Sequence, residues 1–266
     1  MDGMDVDPSR PPALEGVAER PRFAIPLAPP TVTRILAGLL ILVFVLEFLV
    51  GLWLFGLWTG PVDSRVLLVL GMKVNELILA GQWWRLFTAT LLHIGPFHLI
   101  ANLIGLFMLG PLVEGHFGHL RFLAIYLISG LAGSVTSFAL SIYPSAGASG
   151  AIFGLLGATI LYFYRYRHYF GEQGRQVLQS MVVVLVLNLA LGASLANVDN
   201  WGHLGGLVGG TVAAWGLLPR YRPPVRVRPG INMLQRERRL LAETAWFLLS
   251  LALVSAGLVA GIVRWR

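Results

Sequence analysis

The chain has 266 residues, of which 56% are hydrophobic and only 12% charged, far too apolar for a soluble domain of that length. Its net charge of +7 is scattered between apolar runs of membrane-spanning length and forms no continuous basic face, which argues against a nucleic-acid surface. Cysteine is absent, which excludes a disulfide framework, a thiolate nucleophile and a cysteine metal site.

Residues 1–32 carry Pro8, Pro11, Pro12, Pro21, Pro26, Pro29 and Pro30 among mixed charges, a composition that cannot bury a core and is expected to be a disordered cytoplasmic tail. Seven spans are then expected in an all-α membrane protein: Thr33–Trp58, Gly95–Val113, Leu120–Tyr143, Ser149–Tyr164, Val177–Ala196, His203–Leu218 and Thr244–Val263. The first of these begins too late for a secretory signal peptide and is read as a retained span. Between the first two, residues 60–94 form a loop too long for a plain turn. It contains Trp83, Trp84 and Arg85, residue types that settle at a membrane interface, so the loop is expected to fold onto the outer leaflet. Residues 220–243 read as a basic cytoplasmic linker able to touch anionic lipid head groups, and residues 244–266 as the seventh helix. No internal repeat suggests an inverted-repeat transporter.

Placing the N-terminus in the cytoplasm puts fifteen of the twenty lysines and arginines inside and leaves Arg65, Lys73, Arg85, Arg264 and Arg266 outside. That bias satisfies the positive-inside rule and predicts an N-in, C-out, multi-pass protein of the cell membrane.

With this topology the second, fourth and sixth spans start on the same side, and their starts hold the unusual residues: His98 and Asn102, then Ser149, then His203. His98 and Asn102 are four apart and share a helical face. At about 24 Å the fourth and sixth spans are shorter than the roughly 30 Å hydrocarbon layer. With inner ends pinned by Tyr164, Arg165 and Arg220, their outer ends fall inside the membrane, in a cavity open to outside water. Gly150 and Gly154 form one small-residue ridge; Gly206 with Gly210, or Gly205 with Gly209, forms another. Facing ridges let helices approach closely in lipid. The reading that follows is a serine nucleophile with a histidine base, beside a helix N-terminus suited to a developing anion.

These residues resemble the rhomboid family of intramembrane serine proteases over about residues 84–210. The resemblance rests on Gly147-Ala148-Ser149-Gly150, on the stretch from His203 through Gly206 to Gly210, and on His98-Leu-Ile-Ala-Asn102. Trp84-Arg85 is similar to a pair in the family's first loop, Glu114 with Gly118 to a structural pair after the second helix, and His93 to a further histidine before it. The resemblance implies a six-helix core, residues 33–219, plus one C-terminal helix. It also implies Ser149 and His203 as a catalytic dyad, and His98, Asn102, Ser149, Gly147 and Asn200 around the oxyanion and substrate. No metal or cofactor is implied. Substrates would be transmembrane proteins cut in or beside the bilayer, entering between the second and fifth helices beneath the loop Leu195–Gly202. Phe153 stands where some relatives carry a tyrosine packed on the catalytic histidine, and its ring can still stack there.

The remaining polar residues have plainer readings. Asp199, four before His203, is expected to belong to an outer loop rather than to a triad. His116, His119 and His168 are expected to be surface residues, and His93, Glu114 and Arg85 to hold structure. Gly147-Ala148-Ser149-Gly150 is not the soluble hydrolase elbow, because Ala151 replaces the second glycine and no strand precedes it. The alternatives are an inactive rhomboid-like protein that binds membrane-protein clients, and a small transporter. The second is disfavoured because the polar residues gather at one level instead of along a path. Oligomeric state is not legible.

Overall fold

The computed structural model describes residues 22–56, 58, 62–195, 198–228, 231–237 and 239–266. Most of the Pro-rich tail, residues 1–21, therefore lies outside the described residues, as do residues 196 and 197 of the loop assigned to cover the substrate entry. In chain order the elements are β1 (Arg22–Ala24), α1 (Thr31–Phe55), α2 (Ser64–Leu70), α3 (Asn75–Leu79), α4 (Arg85–Thr88), α5 (Pro96–Phe117), α6 (His119–Leu140), α7 (Ser149–Arg165), α8 (Arg167–Ser194), α9 (Asn200–Leu217), β2 (Tyr221–Arg228), β3 (Ile231–Arg236) and α10 (Leu240–Trp265). Five of these, α1, α5, α6, α8 and α10, are long and apolar enough to cross a membrane.

Helix ends follow local chemistry. The start of α1 has no side-chain cap of its own; the carboxylate of Glu114 on α5 supplies one, accepting from Val32 N at 2.7 Å, Thr33 N at 2.8 Å and Thr33 Oγ1 at 2.7 Å. A negative group there also meets the positive end of the helix dipole. Pro96 opens α5 directly after Gly95 at φ +81°, matching the preference for proline in a first helical turn. The inner part of the bundle is α6, α7 and α9, whose packed side chains include Ile125, Ile128, Leu155, Ala158, Ala213 and Ala214.

Of the two glycine pairs on α9, Gly206 with Gly210 is the ridge that meets α7. A Cβ on Gly206 would overlap the Gly150 carbonyl, and one on Gly210 would overlap Gly154 Cα. Gly205 and Gly209 instead face α6, at Thr136 and Ala132. Helix α9 is therefore bare on two faces and wedges between both neighbours. Lipid offers no hydrophobic drive for helix association, so such backbone contact is what holds the three together.

The long first loop is ordered into α2, α3 and α4. Arg85 is buried and donates from Nη1 to Leu68 O and Met72 O, at 2.9 and 3.0 Å, and from Nε to Gln82 Oε1 at 2.7 Å. It ties the loop together, as expected, while Trp83 and Trp84 remain exposed. Lys73, fully buried, donates from Nζ to Ser141 O at 3.0 Å and Tyr143 O at 2.8 Å. Its backbone pairs with Ser145, so the loop grips the segment that leads into α7.

Three expectations need correction. The all-α class holds, but residues 1–32 are not disordered throughout: Arg22–Ala24 form β1 of a small sheet of order β1-β3-β2, with β1 parallel and β2 antiparallel to β3. The linker between α9 and α10 is thus structured: Val225-Arg226-Val227-Arg228 alternates with period two, a strand pattern that the charge obscured. Next, α8 begins ten residues before the apolar run, passing through a kink at Gly171, φ +54° and ψ −133°. Finally, His116 is not a surface residue. It is buried against Tyr162, Phe163 and Phe170, because it lies in the last turn of α5 where the aromatic end of α7 closes over it. His119 is held by Glu114 Oε1 at 2.6 Å.

Candidate active site

Ser149 is the first residue of α7 and His203 lies in the first turn of α9. The glycine contact described above brings these two helix starts together, and Ser149 Oγ lies 2.9 Å from His203 Nε2. With the neutral ring protonated on Nδ1, the hydroxyl donates to Nε2, the arrangement of a nucleophile and its base. Phe153, one turn along α7, stacks on the imidazole with ring centroids 4.2 Å apart and planes 11° from parallel. The phenyl ring therefore packs face to face on the imidazole.

Among the described residues no carboxylate hydrogen-bonds His203. Asp199 Oδ1 accepts from Gly202 N at 2.9 Å and caps α9, while His203 Nδ1 is buried without a hydrogen-bond partner among the described residues.

Near Ser149 stands His98, in the first turn of α5. Its Nδ1 accepts a hydrogen bond from Ile94 N at 3.2 Å, so a neutral ring carries its proton on Nε2. That edge faces Gly147: a Cβ there would sit 2.8 Å from His98 Nε2 and 3.7 Å from Ser149 Oγ. At φ +140° Gly147 also adopts a backbone conformation closed to other residues. Glycine is needed twice over, for the turn and for the approach of the imidazole. The Gly147 N–H donates to Ala89 O at 2.8 Å, anchoring the turn on the first loop.

The chain thus brings Ser149, His203, His98, Gly147 and Phe153 to one place, with Gly150, Gly154, Gly206 and Gly210 forming the seam beneath. Asn102 is buried one turn below His98, and its Nδ2 donates to His98 O at 3.0 Å. Asn200 departs from expectation. Its Oδ1 has no hydrogen-bond partner among the described residues, and the side chain lies where a Cβ on Gly192 of α8 would stand. Two groups escaped the sequence reading, Lys73 and Glu47. For Glu47 the signal was present, since a carboxylate inside the apolar run of α1 calls for a buried partner.

Comparison with known proteins identifies the family. The family model described as the Rhomboid domain matches residues 80–220. Among curated proteins, the chain is 43% identical over 192 residues to "Rhomboid protease GluP" of Bacillus subtilis, covering 72% of this chain and 36% of that protein. It is 36% identical over 203 residues to "RHOMBOID-like protein 5" of Arabidopsis thaliana, covering 73% and 65%. It is 32% identical over 208 residues to "RHOMBOID-like protein 6, mitochondrial" of the same plant, covering 77% and 67%. The chain thus spans about a third of GluP and about two thirds of the two plant proteins. A matched domain covering more than half of the sequence, on a bundle of apolar helices, makes this an integral, multi-pass membrane protein, and the chain belongs to the rhomboid family.

Proposed function

We propose that the protein is an intramembrane serine endopeptidase that cleaves transmembrane proteins in or beside the bilayer with Ser149 and His203. The observation that carries this reading is the 2.9 Å contact between Ser149 Oγ and His203 Nε2, next to the Nε2 edge of His98. His203 Nε2 takes the hydroxyl proton as Oγ attacks the scissile carbonyl carbon, and the carbonyl oxygen becomes the oxyanion. The charge is met by His98 Nε2–H, by the free amides at the start of α7, and by Asn102 once its amide swings from His98 O. His203 returns the proton to the amide nitrogen as the C–N bond breaks, leaving an acyl group on Oγ. A water then repeats the cycle: His203 takes its proton, the hydroxide attacks, and Oγ leaves with that proton, releasing a carboxylic acid.

The seven-span, N-in, C-out arrangement belongs to this proposal. At about 26 and 27 Å, the 17-residue α7 and 18-residue α9 are short for a bilayer, which sinks the dyad below the outer surface. The basic strands and linker then face the cytoplasm, with residues 1–32 as its tail, 33–219 as the core, 220–243 as the linker and 244–266 as the added helix. Substrate enters between α5 and α8; α8 buries only Gly174, Met181 and Gly192.

The test is incubation of the purified protein with transmembrane substrates whose helices are weakened by glycine or proline. Ser149→Ala and His203→Ala are expected to lower turnover by at least about 10⁴-fold while both variants remain folded, and a fluorophosphonate to label Ser149. Cleavage by Ser149→Ala at the wild-type rate overturns the reading.

A further inference from the structure

We infer that Glu47, a carboxylate inside the apolar helix α1, is a positioning residue that fixes the proton of His98 on the nitrogen facing Ser149. The inference rests on the protease reading for its consequence, though not for its geometry.

Glu47 is fully buried, and its Oε1 accepts from the backbone N–H of His93 at 2.9 Å. The very next amide, Ile94 N–H, donates to His98 Nδ1. Two consecutive N–H groups therefore have fixed partners, one on α1 and one on α5. The turn between them is tight: Gly95 N donates to His93 O at 3.0 Å, and Gly95 has φ +81°. His93 has its own role in this unit. Its Nδ1 lies 3.1 Å from Leu91 O, which can only accept, so that nitrogen carries the proton. Its ring meets the His98 ring edge-on, centroids 5.3 Å apart. The His93 ring is buried completely and blocks His98 from turning backward.

An imidazole with equivalent surroundings at both nitrogens populates two tautomers, and only the one with Nε2–H can donate to an oxyanion beside Ser149. What selects it is the Ile94 N–H aimed at Nδ1. Glu47 holds the peptide that precedes this amide, and so sets where it points. An apolar residue at position 47 leaves the His93 N–H without an acceptor in a buried site. The local backbone then turns to satisfy it, and Ile94 N–H loses its aim. The second oxygen, Oε2, has no hydrogen-bond partner among the described residues. Glutamine can therefore replace Glu47 without losing a protein hydrogen bond, its amide oxygen standing in for Oε1.

The test has one readout free of protease activity and one that uses it. In protein labelled with ¹⁵N-histidine, the wild type should show His98 with a bare Nδ1 and a protonated Nε2. Glu47→Met should show a mixture of tautomers, and Glu47→Gln the wild-type state. Ile94→Pro, which removes the donor itself, should give the mixture even if the Met variant folds poorly. An unchanged tautomer in folded Glu47→Met overturns the inference, and an unchanged tautomer in Ile94→Pro removes the amide through which Glu47 would act. In cleavage assays Glu47→Met should lower kcat roughly 5- to 10-fold with KM unchanged, Gln should restore most of it, and in a His98→Ala background the Met change should have no further effect. An equal loss in that background overturns the coupling to His98. If the wild type cleaves nothing, the protease reading falls while the tautomer result still decides the role of Glu47.

Discussion

Helices α7 and α8 follow one another across Tyr166 yet live in different surroundings. Twelve of the 17 residues of α7 are buried by protein, against three of the 28 in α8. The difference lies in side-chain size and in what each helix must do. Glycines let α7 meet α9 backbone to backbone, which holds two reactive atoms 2.9 Å apart. The flank of α8 carries Val182, Val183, Val186, Leu187 and Leu191, all exposed, so lipid serves as its neighbour. A close backbone seam and a lipid-facing flank need opposite kinds of packing, and this chain provides them in adjacent segments; under the proposed function the first holds the dyad and the second borders the substrate entry.

That contrast breaks most readily at Gly206. Gly206→Val places a branched side chain into the Gly150 carbonyl, and because backbone cannot yield as a side chain does, a loss of about 3 kcal/mol or more is expected. Thermal unfolding in detergent measures it; a melting temperature within a degree of wild type would show the seam to be looser than its geometry implies.

Lys73 sharpens the comparison through pH, since it clamps the segment entering α7. Burial pushes its pKa down to about 8, against the pull of Asp199 and Glu76. Between about 8 and the ordinary 10.5, the unfolded chain binds more protons than the folded one, so stability rises with pH across that window. The difference between wild type and Lys73→Met, in which this slope is absent, is expected to be on the order of 1–3 kcal/mol. Melting curves at pH 7.5 and 10.5, on scales bracketing that window, test it; parallel curves for the two proteins would remove Lys73 as the source.

A smaller effect is expected at Phe153. Removing its ring in Phe153→Ala loses a stack of about 1 kcal/mol, read as a fewfold drop in kcat, whereas Phe153→Tyr keeps the rate. Equal rates for all three would mean that the ring does not orient His203. Least of all, Leu187→Ala on the exposed flank of α8 is expected to change stability by under about 0.5 kcal/mol. A loss comparable to that at Gly206 would erase the distinction between the two helices.

Much of the site was legible because membrane burial makes polar residues conspicuous. Ser149, His203 and His98 stand out from apolar neighbours, and the alternating direction of the spans puts the three helix starts that carry them on one side. Lys73 gave no local signal, because it acts on a partner distant in the chain, Ser141; Glu47 is conspicuous in its apolar run, but nothing local names its partner His93. His116 was misjudged because its position near a helix end says nothing about what folds over that end.

By itself, then, the sequence determined a membrane-embedded helical chain, the glycine ridges that permit close approach, and the alcohol and imidazole that the ridges bring together. Only the tertiary structure decided between Gly206–Gly210 and Gly205–Gly209, assigned Asp199 to cap a helix, turned Asn200 toward α8 and drew the basic linker into a sheet. The physical reason is that periodicity specifies which side chains share a face, whereas the neighbour that face meets is chosen by the packing of every helix at once.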